Sequence, residues 1–212
     1  MPSITVLAGT NGAGKSSVAG EFLRLNGGAY FNPDEVAREI IGANPGMELT
    51  AANGLAWKEG LHQLQKAIRL RQDFAFETTL GGGTIAATLQ RALDEHLDVS
   101  ILFVGLATVD LHLARVRERV AKGGHPIPEG DIRRRFETSR LNLIRLLGHL
   151  KELKVFDNSA QADPHQGLAP SPTLLLHLRE GELLGPGRLV LAQTPEWAKP
   201  IVEAALALVD AR

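Results

Sequence analysis

The glycine-rich stretch Gly9–Ser16 is the part of the chain best equipped for chemistry. Its sequence, GTNGAGKS, fits the pattern G-x-x-x-x-G-K-[ST], and it follows the short apolar run Ile4–Ala8. Glycines let the backbone bend so that successive N–H groups point at phosphate oxygens. Lys15 adds a positive charge beside the β- and γ-phosphates, and the hydroxyl of Ser16 can hold a metal ion. The stretch, here called the phosphate loop, therefore predicts a nucleoside triphosphate site.

The residues around the phosphate loop support this interpretation. A helical pattern follows the loop through Val18, Phe22 and Leu25. A strand, a glycine loop and a helix in this order are the context that the motif requires, because the helix N-terminus favours an anion. The residues that we expect to bind the nucleotide are Gly9, Asn11, Gly12, Ala13, Gly14, Lys15, Ser16, Ser17 and Asn158.

The composition indicates one globular domain of ordinary size and excludes several functions. The chain has 212 residues, of which 44% are hydrophobic and 22% are charged. A formal net charge of −1 argues against a general nucleic-acid binder or a membrane-surface protein. The absence of cysteine excludes disulfides, zinc–thiolate sites and cysteine nucleophiles. Because we find no basic-then-apolar leader and no apolar stretch long enough to span a bilayer, we expect a cytoplasmic protein.

Short apolar runs alternate with helical patterns along the first 160 residues. They predict four strands and a weaker fifth candidate, which are Ile4–Ala8, Asp73–Glu77, Val99–Gly105, Leu153–Phe156 and, more weakly, Ala29–Phe31. Continuously apolar strands separated by helices are typical of a buried parallel sheet with right-handed crossovers. The predicted fold is α/β, a three-layer α/β/α P-loop NTPase with a mainly parallel central sheet. One helix is expected to carry an apolar stripe through Leu55, Leu61, Leu64 and Ile68. Another helix is expected to run from about Asp131 to Leu150.

The tail beyond residue 160 is expected to add a hairpin and a helix to the edge of the same sheet. Pro164–Pro172 reads as a linker, and the runs Thr173–Leu178 and Arg188–Leu191 are predicted to pair as a β-hairpin across glycine- and proline-rich turns. A last helix is expected from Pro195, because proline favours the first helical position. The expected organisation is a single domain, 1–212, with a core at 1–160 and a C-terminal extension at 161–212.

Polar residues follow the predicted strands, at the edge where open parallel sheets bind ligands. After Ala29–Phe31 come Asn32, Pro33 and Asp34. Asn32 is a good N-cap and Pro33 suits the first helical position, so Asp34 can simply complement the helix dipole. Its carboxylate can equally accept a proton from a substrate hydroxyl or help to hold magnesium. The two interpretations are compatible, and both stay open.

The ends of two later strands carry further candidates. Glu77, Thr78 and Thr79 bring a carboxylate and two hydroxyls to the same edge, before a triple glycine that can approach a ligand or act as a hinge. A polar turn is the alternative interpretation. The stretch lacks the four apolar residues and aspartate of a Walker B strand, which disfavours a motor or transport ATPase. Asn158 follows the strand Leu153–Phe156, where it can form an Asx-turn or lie near a nucleoside base.

A basic segment, residues 115–145, contains a glycine-rich loop between two predicted helices. It holds nine basic and four acidic residues in a chain of net charge −1. Arginines on both sides of a flexible loop are typical of a phosphoryl-transfer lid, which closes over the triphosphate and excludes water. A solvated basic helix face is the alternative. We favour a lid over residues 119–134, with Arg119 and Arg134 as the acting arginines and His125 in its loop.

Five motifs in one order resemble those of the zeta-toxin family of P-loop kinases, in particular its small chromosomal members. The motifs are Asn11–Ser16, Asn32–Asp34, Phe76–Leu80, Gly123–Pro128 and Asp157–Ser159. The resemblance covers residues 1–160 and does not extend to the tail. Members of the family characterised as toxins use ATP and magnesium to phosphorylate a sugar hydroxyl of UDP-N-acetylglucosamine, which starves cell-wall synthesis.

The resemblance implies roles for the matching residues. The implied catalytic residues are Asp34 as the base, with Lys15, Arg119 and Arg134 on the transferring phosphoryl group. The resemblance implies that Glu77 and Thr78 lie at the acceptor site and that Ser16 is the metal ligand. The full set of candidate acceptor residues is Asp34, Glu77, Thr78, Thr79 and His125. The arginine assignment can shift to a neighbour, namely Arg115, Arg117, Arg133 or Arg135. ATP and Mg²⁺ are the implied cofactors, and an antitoxin protein is the implied partner.

The leading hypothesis is an ATP-dependent kinase that phosphorylates a hydroxyl of a small molecule, such as the nucleotide sugar UDP-N-acetylglucosamine. One alternative is a nucleotide-switched P-loop protein that regulates a partner without phosphorylating an acceptor. Another is a polynucleotide-end kinase, which the net charge argues against. No membrane partner and no nucleic acid partner are expected.

Overall fold

The computed structural model describes residues 2–15, 18, 30–160 and 171–211, and this part of the chain contains a six-stranded sheet. The strands are β1 (Ser3–Ala8), β2 (Phe74–Thr78), β3 (Asp98–Gly105), β4 (Glu152–Asp157), β5 (Thr173–Arg179) and β6 (Glu182–Gly185). They lie in the order β2-β1-β3-β4-β5-β6, in which the first four are parallel and the last two are antiparallel. The strand before the phosphate loop, β1, therefore lies between β2 and β3.

Helices connect the strands and cover the sheet. They are α1 (Pro33–Ala43), α2 (Leu49–Leu70), α3 (Gly83–Asp94), α4 (Val109–Ala121), α5 (Glu129–Leu146), α6 (Arg188–Leu191) and α7 (Lys199–Asp210), with a 3₁₀ turn over Leu147–His149. Two of them begin at caps that the sequence supplies. The Asn32 side chain accepts from the Asp34 N–H before α1, and the Thr108 side chain accepts from the Leu111 N–H before α4. None of the helices in the described ranges is long and apolar enough to cross a bilayer.

The parallel strands are buried on both faces, which explains their continuous apolar runs. Side chains alternate along β1. Ile4 and Val6 belong to a large core with residues of α3, α5 and α7, whereas Leu7 packs in a smaller core with Leu102 and Val104 on the other face. Because core residues pack on both faces of β1, the phosphate loop begins directly after the fully buried residue Ala8.

The predicted parallel strands are confirmed, and so is the α/β fold. Each of the four observed strands starts and ends within one residue of the expected position. The weaker candidate reduces to Phe31, which forms a single parallel bridge with Phe76 beside β2. Ala29 lies outside the described residues, as do Phe22 and Leu25 of the helix expected after the phosphate loop.

Helix α2 buries the predicted stripe at Leu61, Leu64 and Ile68, but its N-terminal half packs through small residues instead of Leu55. Its buried positions are Ala52, Ala56, Gly60, Leu64, Ala67 and Ile68. Leu55, which we expected in the stripe, is exposed. The reason is close packing, because Ala52 and Ala56 share a small core with α1, and a Cβ on Gly60 would lie 2.6 Å from the Phe31 ring. Small residues at four-residue spacing let the neighbours approach, so packing decides the buried face.

The C-terminal hairpin is confirmed, but its second strand is not the predicted one. β5 pairs with Glu182–Gly185, whereas Arg188–Leu191 is the short helix α6. The reason is a tight turn at Glu180 and Gly181, both with positive φ, which reverses the chain directly after β5. The last helix begins at Lys199 instead of Pro195. β5 lies beside β4 at the edge of the parallel strands, as expected. Most of the predicted linker Pro164–Pro172 is outside the described ranges.

Candidate functional site

The phosphate loop lies at the carboxyl end of β1, between the ends of β2 and β3. Its glycines have positive φ angles of 147° at Gly9, 80° at Gly12 and 76° at Gly14. A Cβ on Gly9 would lie 2.2 Å from the Val104 carbonyl oxygen, and one on Gly12 would lie 2.7 Å from that of His112. Glycine is therefore required at both positions, by backbone conformation and by space. The loop has the shape that directs backbone N–H groups toward an anion.

Lys15 pairs with a carboxylate from the neighbouring strand. Its Nζ donates to the Gly9 carbonyl oxygen at 2.9 Å and lies 3.4 Å from Oε1 of Glu77 at the end of β2. The two side chains are only 11% and 18% exposed. Their attraction is therefore screened less than that of a surface pair. The pair connects the predicted nucleotide side of the site with the predicted acceptor side.

Two residues of the predicted nucleotide set cannot be placed. Ser16, the predicted metal ligand, and Ser17 lie outside the described residues. Ala13 is buried, and its N–H closes the loop on the Thr10 carbonyl oxygen at 3.0 Å. Within the ranges that the structure covers, no group of three or more histidine, aspartate or glutamate residues could hold a metal ion.

The turn after β2 is held by its own hydroxyls and by helix α5. The Thr78 and Thr79 hydroxyl oxygens each accept from the backbone N–H two residues later, at 3.1 and 3.3 Å. Leu80 is fully buried and has a φ of 55°, a conformation that side chains rarely adopt. Its carbonyl oxygen accepts from Nδ2 of the buried Asn142 on α5 at 2.9 Å. These bonds fix the backbone that carries Glu77.

Asp34 and Arg119 face each other across the opening of the site. Asp34 lies in the first turn of α1, where its backbone N–H donates to the Asn32 cap and its side chain is 45% exposed. Its Oδ2 lies 3.9 Å from Nη1 of Arg119 on α4. Arg119 also donates from Nη2 to the His125 carbonyl oxygen at 3.2 Å, and its Nε is buried without a partner among the described residues. Two distant parts of the sequence thus bring a carboxylate and a guanidinium together.

On helix α5, Arg135 contacts the phosphate loop and Arg134 does not. Arg135 Nη1 donates to Oδ1 of Asn11 at 2.7 Å, and burial lowers the pKa of its guanidinium. Arg134 is 62% exposed and pairs with Asp131 of the preceding turn at 2.9 Å. The sequence offers Arg133, Arg134 and Arg135 in succession. Consecutive helical residues point in different directions, so the orientation of α5 selects the arginine that faces the loop.

A buried histidine that we did not single out from the sequence lies beneath the phosphate loop. Nδ1 of His112, on α4, is 2.8 Å from the Asn11 carbonyl oxygen. Burial lowers the pKa of His112 to about 4, so the ring is neutral, and the carbonyl acceptor places the proton on Nδ1. The ring also meets Phe136 of α5 edge to face, with centroids 5.5 Å apart. A signal was available, because His112 lies four residues before Val116 on the buried face of α4.

Asn158 supports the phosphate loop from the end of β4. Its Nδ2 donates to the Ala13 carbonyl oxygen at 2.9 Å, and its backbone N–H donates to the Gly105 carbonyl oxygen at 3.0 Å. Arg115 of α4 donates in turn to the Asn158 carbonyl oxygen at 2.7 Å. The ends of β3 and β4 and the helix α4 therefore converge on the loop.

The fold and the phosphate loop together define a P-loop protein of the α/β/α class. No family model matches the chain. An uncharacterized protein of Haemophilus influenzae is 30% identical to it over 128 residues, which cover 60% of this chain and 88% of that protein. The chain belongs to the same family as this Haemophilus protein.

Solved structures share the fold at low sequence identity. A chain of the AvrRxo1-ORF1:ORF2 complex has a TM-score of 0.63 at 14% identity and is matched over 98% of this chain and 71% of its own length. A chain of the AvrRxo1-ORF1:ORF2 structure with ATP gives 0.62 at 15%, over 97% of this chain and 64% of its own length. A chain of the PezAT chromosomal toxin–antitoxin system of Streptococcus pneumoniae gives 0.57 at 14%, over all of this chain and 86% of its own. The chain shares the fold of these solved structures, and the predicted α/β/α P-loop fold is confirmed.

Proposed function

We propose that this protein is an ATP-dependent kinase that transfers the γ-phosphoryl group of ATP to a hydroxyl of a small molecule. The observation that carries the proposal is the convergence of Asp34, Arg119 and Arg135 beside the phosphate loop. Asp34 lies 3.9 Å from Arg119. Burial lowers the pKa of the Arg135 guanidinium, and the negative charge of Asp34 partly offsets this lowering, so Asp34 also acts on Arg135. A carboxylate and two arginines at a triphosphate site are the groups that phosphoryl transfer to a hydroxyl requires.

In this proposal the phosphate loop binds the triphosphate of ATP. The glycines leave no Cβ between the backbone N–H groups and an anion, and Lys15 adds its charge to the β- and γ-phosphates. ATP accompanies one solved structure of the same fold. Ser16 is the assigned magnesium ligand, and magnesium neutralises charge on the transferred group when it is bound. The assigned nucleotide-binding residues are Gly9, Asn11, Gly12, Ala13, Gly14, Lys15, Ser16, Ser17 and Asn158.

The acceptor lies on the side of Asp34 and Glu77. Asp34 accepts the proton of the attacking hydroxyl, because its carboxylate is at the opening of the site and reaches both solvent and Arg119. The hydroxyls of Thr78 and Thr79 accept from backbone N–H groups, so each still has its own O–H to donate to a substrate. His125 completes the assigned acceptor residues. UDP-N-acetylglucosamine is the acceptor suggested by the zeta-toxin resemblance, and it is the first candidate to test.

Arginines from both sides of the loop 122–128 neutralise the transferring group. Arg119 and Arg134 are the assigned pair within a lid over residues 119–134. Arg135 joins them because its guanidinium contacts Asn11 of the phosphate loop. Charge-stabilising arginines contribute on the order of 10³-fold or more to phosphoryl-transfer rates.

The test is phosphate transfer from γ-labelled ATP to a panel of sugars, nucleotide sugars and oligonucleotides. We expect incorporation into one class of small molecule, abolished by Lys15→Ala and unaffected by Lys66→Ala, which removes an exposed lysine from α2. ATP binding without acceptor-dependent ADP release contradicts the proposal and favours a nucleotide-switched regulator. Incorporation confined to oligonucleotides favours a polynucleotide-end kinase instead.

An antitoxin partner is a separate part of the proposal. It is supported by two fold relatives, one solved as an ORF1:ORF2 complex and the other belonging to a toxin–antitoxin system. We expect expression of the protein in the cytoplasm to arrest growth and Lys15→Ala to relieve the arrest. Normal growth during expression would contradict the toxin role. It would not bear on the kinase activity, which the phosphate-transfer panel tests separately.

A further inference from the structure

The C-terminal segment around Trp197 packs against the strand ends that carry the nucleotide site. Trp197 is only 3% exposed, and its ring lies 2.3 Å from the position that a Cβ on Gly105 would take. It also stacks with Phe103 at a centroid distance of 6.3 Å. Gly105 is the last residue of β3, and its carbonyl oxygen binds the N–H of Asn158, which itself holds the phosphate loop. A residue from the tail is therefore in van der Waals contact with the support of the loop.

Arg140 connects this segment to helix α5. Its Nη1 donates to the Trp197 carbonyl oxygen at 3.1 Å, and its Nε donates to the Phe136 carbonyl oxygen at 2.8 Å. Its guanidinium carbon lies 4.3 Å above the centre of the Phe136 ring, and Glu137 pairs with it at 2.5 Å. With these bonds the largely buried guanidinium is fixed by two helical residues and one residue of the tail.

Phe136 and His112 continue the contacts to the phosphate loop. The Phe136 ring meets the His112 ring, and the Nδ1–H of His112 donates to the Asn11 carbonyl oxygen at 2.8 Å. Arg135 binds the side chain of the same Asn11 from the next position of α5. Asn11 is thus fixed at its backbone and at its side chain by residues of α4 and α5.

We propose that Arg140 and Trp197 are positioning residues for nucleotide binding, which act through Phe136 and His112 on Asn11. The proposal rests on the proposed function only in requiring that the phosphate loop binds ATP. A loop that is already fixed in its binding conformation loses less conformational entropy when ATP binds, so its affinity for ATP is higher. The tail, which lies outside the zeta-toxin resemblance, thereby becomes part of the nucleotide site.

Trp197 itself supplies the first measurement. The chain has two tryptophans, and Trp57 is exposed on α2, so Trp57→Phe leaves Trp197 as the single tryptophan reporter. We expect its emission to change on titration with ATP and to saturate at the dissociation constant that calorimetry gives. An emission that stays constant while calorimetry records ATP binding overturns the proposal. A protein that binds no ATP at all contradicts the proposed function instead.

Substitution of Arg140 supplies the second measurement. Arg140→Gln is expected to weaken ATP binding by about tenfold and to raise KM for ATP more than it lowers kcat. The matched control is Arg91→Gln, which removes an exposed arginine paired with Glu95 on α3. Arg140→Gln and His112→Gln are expected to cost less together than the sum of their separate effects. Wild-type ATP affinity in a folded Arg140→Gln variant overturns the proposal, and if this variant does not fold, the Trp197 titration decides.

Discussion

At the scale of single residues, neighbours in the sequence shape the phosphate loop, whereas residues far apart in the chain, such as Arg135 and His112, hold Asn11 within it. The phosphate loop and the Asn32 cap were predictable because their chemistry depends on neighbours in the sequence. Which of Arg134 and Arg135 contacts the phosphate loop was not predictable, because one step along a helix turns a side chain by about 100°. His112 was also missed, since its contact with Asn11 joins residues far apart in the chain.

Asp34 gives the first prediction at this scale. Asp34→Asn keeps the size of the side chain and its place in the first turn of α1, but it removes the base. We expect ATP affinity to be unchanged and phosphate transfer to fall by about 10²–10⁴-fold. Calorimetry with ATP and single-turnover transfer measure the two quantities. Glu35→Gln, one residue further along α1, is the control, and near wild-type turnover of Asp34→Asn would refute the base assignment.

The two arginines of α5 give a second prediction. Arg135→Gln removes the bond to Asn11 and a charge beside the phosphate loop, so it is expected to reduce both ATP affinity and transfer. Arg134→Gln removes an exposed pair with Asp131 and tests whether this residue acts only when the lid closes. Steady-state kinetics of both variants with ATP as the varied substrate separates them. If both variants have the kinetics of the wild type, the arginines of α5 take no part in phosphoryl transfer.

His112 gives a prediction about pH. Its pKa is about 4 in the folded protein and 6.5 for the free side chain, with burial as the main cause and the charges of Lys15, Arg115 and Arg140 acting in the same direction. The unfolded chain therefore binds the proton first, and stability that is complete above pH 6.5 is lost as the pH falls toward 4. The loss has an upper limit of about 3 kcal/mol.

Urea unfolding between pH 7.5 and 4.5 measures this dependence. His112→Gln keeps a donor for the Asn11 carbonyl but cannot titrate, so its free energy of unfolding is expected to fall less steeply with pH. His62→Gln, on the exposed face of α2, is the control. Identical pH slopes for the wild type and His112→Gln would show that His112 is not the titrating group.

At the scale of elements, helix α5 is a fixed support for the site along one of its faces. Four polar side chains at positions i, i+3, i+4 and i+7 bind the phosphate loop and the turn after β2, and they are Arg135, Thr138, Ser139 and Asn142. The apolar residues of this helix were predictable from the sequence, but in a sequence a polar stripe on an internal face looks the same as a solvated one. Only the positions of the partner groups distinguish the two.

This polar face limits which part of the chain can close as a lid. We expect ATP to change amide hydrogen exchange between residues 121 and 134, while Arg135–Asn142 keeps its exchange rates. The reason is that the four bonds anchor the second stretch in both states, whereas the loop 122–128 has fewer such partners in the described part of the chain. Equal changes along the whole of α5 would mean that the helix moves as one body.

At the scale of the whole molecule, the parallel strands were predictable from the sequence and the role of the tail was not. Buried parallel strands carry a strong apolar signal, and crossover rules then restrict their arrangement. The prediction of the second hairpin strand was wrong because the chain already turns at Glu180 and Gly181, before the turn expected at Gly185–Gly187. The contact between Trp197 and Gly105 also has no local signal, since it depends on how the finished sheet meets the tail.

Gly105 provides the test of that contact. Gly105→Ala places a methyl group 2.3 Å from the Trp197 ring, and such overpacking is expected to destabilise the protein by about 1–3 kcal/mol. Gly42→Ala, in α1 with open space around the added Cβ, is the control and is expected to stabilise by about 0.5–1 kcal/mol. Thermal and urea unfolding measure both. Equal stabilities for wild type and Gly105→Ala would mean that the tail moves aside freely.

The ion pair between Lys15 and Glu77 sets a threshold for the anions that the site admits. Any anion that approaches Lys15 competes with a carboxylate that is tethered 3.4 Å away and therefore has a high effective concentration. An anion bound in the phosphate loop gains hydrogen bonds from the backbone N–H groups in addition to the attraction of Lys15. These contacts must outweigh the attraction of Glu77 for the same ammonium group. The end of β2 thus carries a built-in competitor for the anion, which acts before any base or sugar is recognised.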